Sequence, residues 1–308
     1  VDGWDGASWI HPHQSETMKV ILITKRSTWD QYHLSPGAFG RLGKESLKRA
    51  KASHFWQERS LETVMGVFNR KLGIKPWVIT GPETGFDSSD ADLVVTLGGD
   101  GTLLSASHHV GRNIPLLGVN SDPVFSVGHF CGAVSGSIEK VLLRMWGKST
   151  LPRTPFGEAL RMTTKVTRME ILVGNKVISK RVLNEALFSH TCPAAMTRLK
   201  IGGERYDCSG VWIGTGAGST GAIVSAGGKV LAPTSKRLQA VIREHCQART
   251  LAGELVPVTK PIFGEVLTLV SQTPDATLYL DGPFLRVPVG YDQKVVFRVS
   301  KDYLSLVL

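Results

Sequence analysis

The sequence predicts two unlike halves: an α/β N-terminal domain built on a Rossmann-like parallel sheet, then a β-rich C-terminal domain. Three observations predict it. Apolar, β-branched runs alternate with helical stripes through the first half, the pattern of strands joined by helical crossovers. After about residue 150 the runs become short, turn-separated and nearly free of helix. At 308 residues and 42% hydrophobic content, the chain is long enough for two cores.

Taken in order, Lys19–Thr24 reads as the first buried strand. Leu61, Val64, Met65, Phe68 and Leu72 then form one apolar helical stripe that Gly73 can end. Trp77–Thr80 is a short strand, and the turn-rich stretch from Gly81 to Asp90 leads to an apolar strand at Leu93–Leu97. A helix is expected just after it. Ile114–Asn120 is the next strand, Gly128–Gly132 lies in the loop that follows, and Ser137–Lys148 is an amphipathic helix. In the second half, strands are expected at Leu160–Thr167, Met169–Val173, Lys176–Ser179, Val182–Phe188, Val266–Val270, Thr277–Leu280 and Val295–Val299. Gly174-Asn175 suits a hairpin turn, and Ser235–Gln247 is expected to be the one substantial helix there. The domains divide as 18–150, 151–290 and a C-terminal segment 291–308; residues 1–17 are expected to be disordered, an artificial extension or the remnant of a trimmed presequence.

Composition narrows the function classes. The net charge of +10 favours an anionic partner, yet Lys and Arg are scattered and no nucleic-acid recognition pattern stands out. No nucleic-acid or membrane partner is expected: the longest uncharged stretch, Val211–Gly228, is too rich in Gly, Ser and Thr for a membrane helix. Cys131, Cys192, Cys208 and Cys246 are widely spaced, which speaks for a reducing compartment rather than a zinc site or disulfides.

Three stretches carry chemistry. Leu93–Leu97 stops at Gly98-Gly99-Asp100-Gly101, where ligands of open α/β sheets bind, beyond the carboxyl end of a strand. Lacking Cβ atoms, the three glycines let phosphate oxygens approach backbone N–H groups. Asp100 adds a carboxylate that can accept a hydroxyl proton or hold Mg²⁺ against phosphates; a tight turn with a solvated aspartate is the competing reading. On the same rim, Asn120 is placed to hydrogen-bond a phosphate or orient Asp100, unless it merely ends its strand before Pro123. Asn184-Glu185 combines an amide with a carboxylate, suited to an adenosine edge and a ribose hydroxyl, although a surface pair is the plainer reading of two residues alone. Finally, Gly214, Gly216, Gly218 and Gly221 interleave with Thr215, Ser219 and Thr220 between apolar brackets, which reads as a buried strand, a ligand-lining loop and a helix.

As a set, these motifs resemble the NAD kinase family. Gly98–Thr102, Asn184-Glu185, Gly218-Ser219-Thr220 followed by Ser225–Gly228, and Asp281-Gly282 occur in the family's order. Gly118–Pro123, Cys192–Ala195, Ala217–Thr220 and Arg243-Glu244 look like the plant branch that prefers NADH. The resemblance covers roughly residues 90–308. It implies an active site between the domains and a C-terminal segment that returns to the first. It also implies that ATP donates a phosphoryl group to the adenosine 2′-hydroxyl of NADH or NAD⁺, with Mg²⁺ or another divalent cation.

Asp100 then corresponds to the general base. Gly98, Gly99, Gly101, Thr102, Asn120, Asn184, Glu185, Ser209, Thr215, Gly218, Ser219, Thr220 and Asp281 correspond to binding positions. The metal ligands are not identifiable. A homodimer or higher homo-oligomer is implied, in the cytoplasm or in an organelle after presequence removal. The chain departs from the family twice. Ala222 stands where many members carry a tyrosine, and Ser209 where many carry an aspartate; losing that charge would relax a preference for the cationic nicotinamide ring. A lipid kinase of the same superfamily and a non-catalytic dinucleotide sensor are the rival readings.

Overall fold

The structure, a computed structural model, describes residues 18–33, 43–81, 85–146, 161–246 and 260–308. The expectations for 1–17, for the break near 150 and for the helix ends at Lys148 and Gln247 lie outside the described residues.

Four parallel strands, β1 (Val20–Thr24), β2 (Trp77–Thr80), β3 (Leu93–Gly98) and β4 (Pro115–Asn120), stand in the order β2-β1-β3-β4. Alternation along each strand feeds two cores. Leu22, Val95, Leu97 and Val119 meet one, which also contains Val64 and Phe68 from the stripe. The stripe belongs to helix α2 (Lys44–Gly66), which follows the short α1 (Thr28–His33) and ends in a π-helical turn, Val67–Leu72. Gly73 closes it at φ 66°, a conformation that costs glycine nothing. The opposite face, through Ile23, Val94 and Leu116, receives α3 (Asp100–Ser107). Helix α4 (Ile138–Trp146) returns to the first core with Ile138, Leu142 and Met145.

Three further strands complete this sheet: β5 (Cys131–Val134), β6 (Thr163–Val166) and β19 (Leu304–Val307). The chain end thus returns to the first sheet, with β19 parallel to the first half of β4 and antiparallel to β6, while β5 pairs with the second half of β4.

The β-rich half is a sandwich of two six-stranded antiparallel sheets. One contains β7 (Met169–Val173), β8 (Lys176–Val182), β10 (Thr197–Ile201), β11 (Glu204–Cys208), β15 (Val266–Ser271) and β18 (Lys294–Val299). The other contains β9 (Glu185–His190), β12 (Gly210–Gly214), β13 (Leu238–Arg243), β14 (Ile262–Gly264), β16 (Ala276–Leu280) and β17 (Leu285–Val289). Ile171, Leu199 and Phe297 of the first sheet meet Phe188, Val211 and Leu278 of the second in one core. Sheet membership is interleaved in sequence: β6 joins the first domain's sheet, whereas β18 belongs to the sandwich.

Two expectations need correction. The described part of the expected helix, 235–246, is not helical; it contains β13, held between β12 and β14. Leu238–Ile242 is buried on both faces, and that tertiary burial outweighs the helical leaning of its Ala, Leu and Arg. The expected strand Val182–Phe188 is broken: Val182 ends β8, Glu185 starts β9, and Leu183-Asn184 form the corner between them.

Candidate active site

The loop after β3 turns directly into α3, with Asp100 as its first residue. Both carboxylate oxygens are engaged by the loop that follows β4: Oδ2 accepts the His129 N–H at 2.9 Å and Oδ1 the Phe130 N–H at 2.8 Å. Each oxygen keeps a lone pair for a further donor. Asn120 shapes that loop from inside. Its Nδ2 donates to the Ser126 carbonyl at 3.0 Å, and its Oδ1 accepts the Asp122 N–H at 3.1 Å. Helix α2 pins the rim from behind, where Gln57 donates to the Leu97 carbonyl and Ser60 to that of Ser121. Buried Asp122 leaves Oδ1 without a hydrogen-bond partner among the described residues. Burial draws the Lys25 ammonium below its ordinary range, and the charge of Asp122 opposes that shift. Burial, then the Asp100 charge, pushes the Cys131 thiol up to about 12, so it stays protonated at neutral pH.

The three glycines differ. A Cβ on Gly98 would lie 2.2 Å from Thr102 Oγ1, so its bareness serves the protein's own packing. At Gly101 a Cβ meets nothing within 4 Å, and the residue is exposed. Of the two, Gly101 is the one that leaves room for a ligand.

On the β-rich side, Asp281 organises the corner between β8 and β9. Its carboxylate accepts N–H groups from Leu183 at 2.7 Å, Asn184 at 2.7 Å and Glu185 at 3.1 Å. Asp281 itself has a φ of 49°, in the left-handed region, at the turn after β16. Burial, then the Asp281 charge, raises Glu185 to about 7. Asn184 Oδ1 is buried without a partner among the described residues, an acceptor waiting for a donor.

The Gly-rich loop lies against this corner. Thr215 accepts nothing from solvent: its N–H donates to the Asn184 carbonyl and its hydroxyl to that of Leu183. A Cβ on Gly218 would come within 2.4 Å of the Asn184 carbonyl oxygen, so only glycine permits this approach. A 3-10 turn, Ala217–Thr220, then leads to α5 (Ala222–Ser225).

Helix α3 joins the two sides. Leu103 and Ala106 share an apolar cluster with Leu183 and Ala217, the residues beside Asn184 and Gly218. Just past the end of α3, His108 Nε2 lies 2.9 Å from Asp281 Oδ2, without the alignment of a hydrogen bond. The same end is held by two guanidiniums: Arg168 donates to the Ser107 and Val110 carbonyls, and Arg181 to that of His108. Both also bond the Asp302 carboxylate at 2.7 Å. Cations at a helix C-terminus complement its dipole, so this network stabilises the helix whose other end carries Asp100.

The family profile described as the ATP-NAD kinase N-terminal domain matches residues 45–131. A probable NADH kinase of Oryza sativa subsp. japonica is 32% identical over an alignment of 250 positions that covers 71% of this chain and 71% of that protein. The chain belongs to the NAD kinase family. Among solved structures, a yeast NADH kinase complexed with NADH matches at a TM-score of 0.62, 17% identity and coverage of 94% of this chain and 82% of that one. An NAD kinase from Archaeoglobus fulgidus in complex with ATP matches at a TM-score of 0.60 and 18% identity, covering 94% of each chain. These two likenesses are of fold.

Within this NAD kinase fold, the expected site residues separate into groups. Asp100 and Gly101 stand on one side of α3; Asn184, Glu185, Asp281, Thr215 and Gly218 form the other, with Thr220 exposed on the same loop. Asn120 orients Asp100 only through the loop it braces, and both ends of its amide are spent there. Gly98 faces Thr102 in the first turn of α3, and Gly99 faces Ser126 of the loop after β4. Thr102 is buried beneath Gly98, and Ser219 is fully buried, its hydroxyl bonded to the Gly216 carbonyl and the Leu231 N–H. Ser209 stands apart: its hydroxyl bonds Glu244 at the Gly210 end of β12, whereas Glu185 pairs with Gly214 at the other end. Four residue steps of extended chain separate those ends by roughly 13 Å. Ser209 is therefore set apart along β12 from the Asn184-Glu185 corner.

Sequence reasoning missed the His129 and Phe130 N–H groups, His108, and the Arg168, Arg181 and Asp302 network. The one local signal was Gly128-His129-Phe130, whose φ of 64° at Gly128 turns the loop toward Asp100.

Proposed function

We propose that this family member transfers the γ-phosphoryl group of ATP to the adenosine 2′-hydroxyl of NADH or NAD⁺. The supporting observation is that one helix bears Asp100 at its start and meets Asp281, the anchor of Asn184-Glu185, just beyond its end. Those ends are about 12 Å apart, a span suited to an adenosine with its phosphates. Asp100 takes the proton from the 2′-hydroxyl as that oxygen attacks the γ-phosphorus, and ADP leaves. Gly101 gives the phosphates access to the backbone. Asn184 Oδ1 accepts a donor from the base or ribose, and Glu185 takes a ribose hydroxyl.

Among the described residues no three ligating side chains form a metal cluster. Buried Asp122, with its unpartnered oxygen on the Asp100 rim, fits a cation that arrives with ATP and takes its remaining ligands from phosphates and water. Such a cation would neutralise charge on the transferring group. A homodimer or larger homo-oligomer and a cytoplasmic location complete the proposal, on the family resemblance. No helix of the described residues is long and apolar enough to cross a membrane.

A coupled assay for NADPH, with ATP and each dinucleotide, tests the reading. Wild type should turn over, and Asp100→Asn should lose about 10²- to 10⁴-fold in kcat with its fold intact. Near-wild-type turnover by Asp100→Asn removes the base. Binding of NADH without ATP-dependent NADPH formation returns the chain to a sensor.

A further inference from the structure

A concavity of about 830 Å³ opens between the domains at the rim of the parallel sheet opposite Asp100. Its wall includes Gly111–Ile114, just before β4 begins, whereas Asp100 follows the end of β3. The strands between these rims are about 20 Å long, so the groove is distinct from the Asp100 rim.

The charges inside it comprise two ion pairs, three unpaired cations and one unpaired carboxylate among the described residues. Arg298 pairs with Glu170 and Arg181 with Asp302, which neutralises the floor. Asp87 stays anionic, its carboxylate accepting the N–H and hydroxyl of Ser89, and is the one lining carboxylate with no ion pair among the described residues. Arg112, Lys180 and Lys301 form no ion pair among the described residues, and all three are exposed. They come from three separate elements: the loop before β4, strand β8, and the turn between β18 and β19. Solvated cations on one helix or one loop would spread apart by repulsion. Here the fold converges three on a concavity of nucleotide size, where low-dielectric walls strengthen their common field.

We propose that this interdomain groove binds a small polyphosphate anion, free or as part of a nucleotide, separately from the Asp100 rim. The phosphates lie between Arg112, Lys180 and Lys301, and binding weakens as salt screens those charges.

Isothermal titration calorimetry of the full chain with inorganic triphosphate, and separately with ADP, tests this. The comparison is with Arg112→Glu/Lys180→Glu/Lys301→Glu and with the milder triple substitution to Gln. Reversal should weaken the groove component at least tenfold and the Gln variant by an intermediate factor, with kcat/KM for NADPH formation unchanged in both. Tighter triphosphate than ADP identifies a free polyphosphate, and the converse a nucleotide. Wild-type isotherms with no binding, or isotherms that both variants reproduce, overturn the site. Loss of turnover alone would instead bear on the Asp100 chemistry.

Discussion

Arg168 is the residue whose replacement is most informative about how the two domains are held. It is fully buried and makes five hydrogen bonds: Nε to the Asp302 carbonyl, Nη1 to those of Ser107 and Val110, and Nη2 to the Tyr303 carbonyl and the Asp302 carboxylate. Burial draws its pKa down to about 10 against the raising influence of Asp302, so it remains charged at neutral pH. Arg168→Met keeps an unbranched apolar stem but removes every donor. Breaking a buried pair by removing one partner costs about 3–5 kcal/mol, and Asp302, itself partly exposed, would keep Arg181 and some water. Arg168→Lys keeps the charge with at most three donors. At least two acceptors then lose their partner, each for about 1 kcal/mol or more, which gives a loss of about 2 kcal/mol. Urea unfolding with an unchanged slope measures both. A loss below about 0.5 kcal/mol for Arg168→Lys would refute the claim that the fork, rather than the charge alone, clamps the end of α3.

Glu185 gives a pH signature. Because its folded value is raised from 4.5 to about 7, the folded state holds a proton that the unfolded state releases between those values. The group's favourable contribution is therefore greatest at low pH and is lost as pH rises to 7, by about 3 kcal/mol at 1.36 kcal/mol per pH unit. Glu185→Gln should flatten this part of the stability profile, and denaturation at pH 5, 6, 7 and 8 should reveal it; an unchanged slope would exonerate Glu185. The glycines should also separate. Gly98→Ala forces a Cβ onto the Thr102 hydroxyl and should lower stability by about 1–3 kcal/mol. Gly101→Ala meets open space, so it should leave stability within about 0.5 kcal/mol while raising the KM for ATP. Equal effects of the two on folding, read by thermal melts, would contradict that division.

Local pattern determined much of this protein. The stripe from Leu61 to Leu72, the alternation along β1, β3 and β4, and the glycine-flanked Asp100 at a strand end are consequences of helical and strand periods that a short window contains. The resemblance then named Asn184, Glu185 and Asp281 as a group, although Asp281 proves to be the anchor of that corner. Only tertiary structure decided the rest. Helical leaning in 238–243 yielded to burial between two strands, and the last strand found its place beside β4. Asp100 meets Phe130 across 30 residues, Asn184 meets Asp281 across 97, and Arg168 meets Asp302 across 134. No window of sequence contains such pairs. They exist because the apolar cluster shared by α3, the parallel sheet and the Leu183 corner brings distant parts of the chain together, and a buried charge or N–H must take whatever partner that packing supplies.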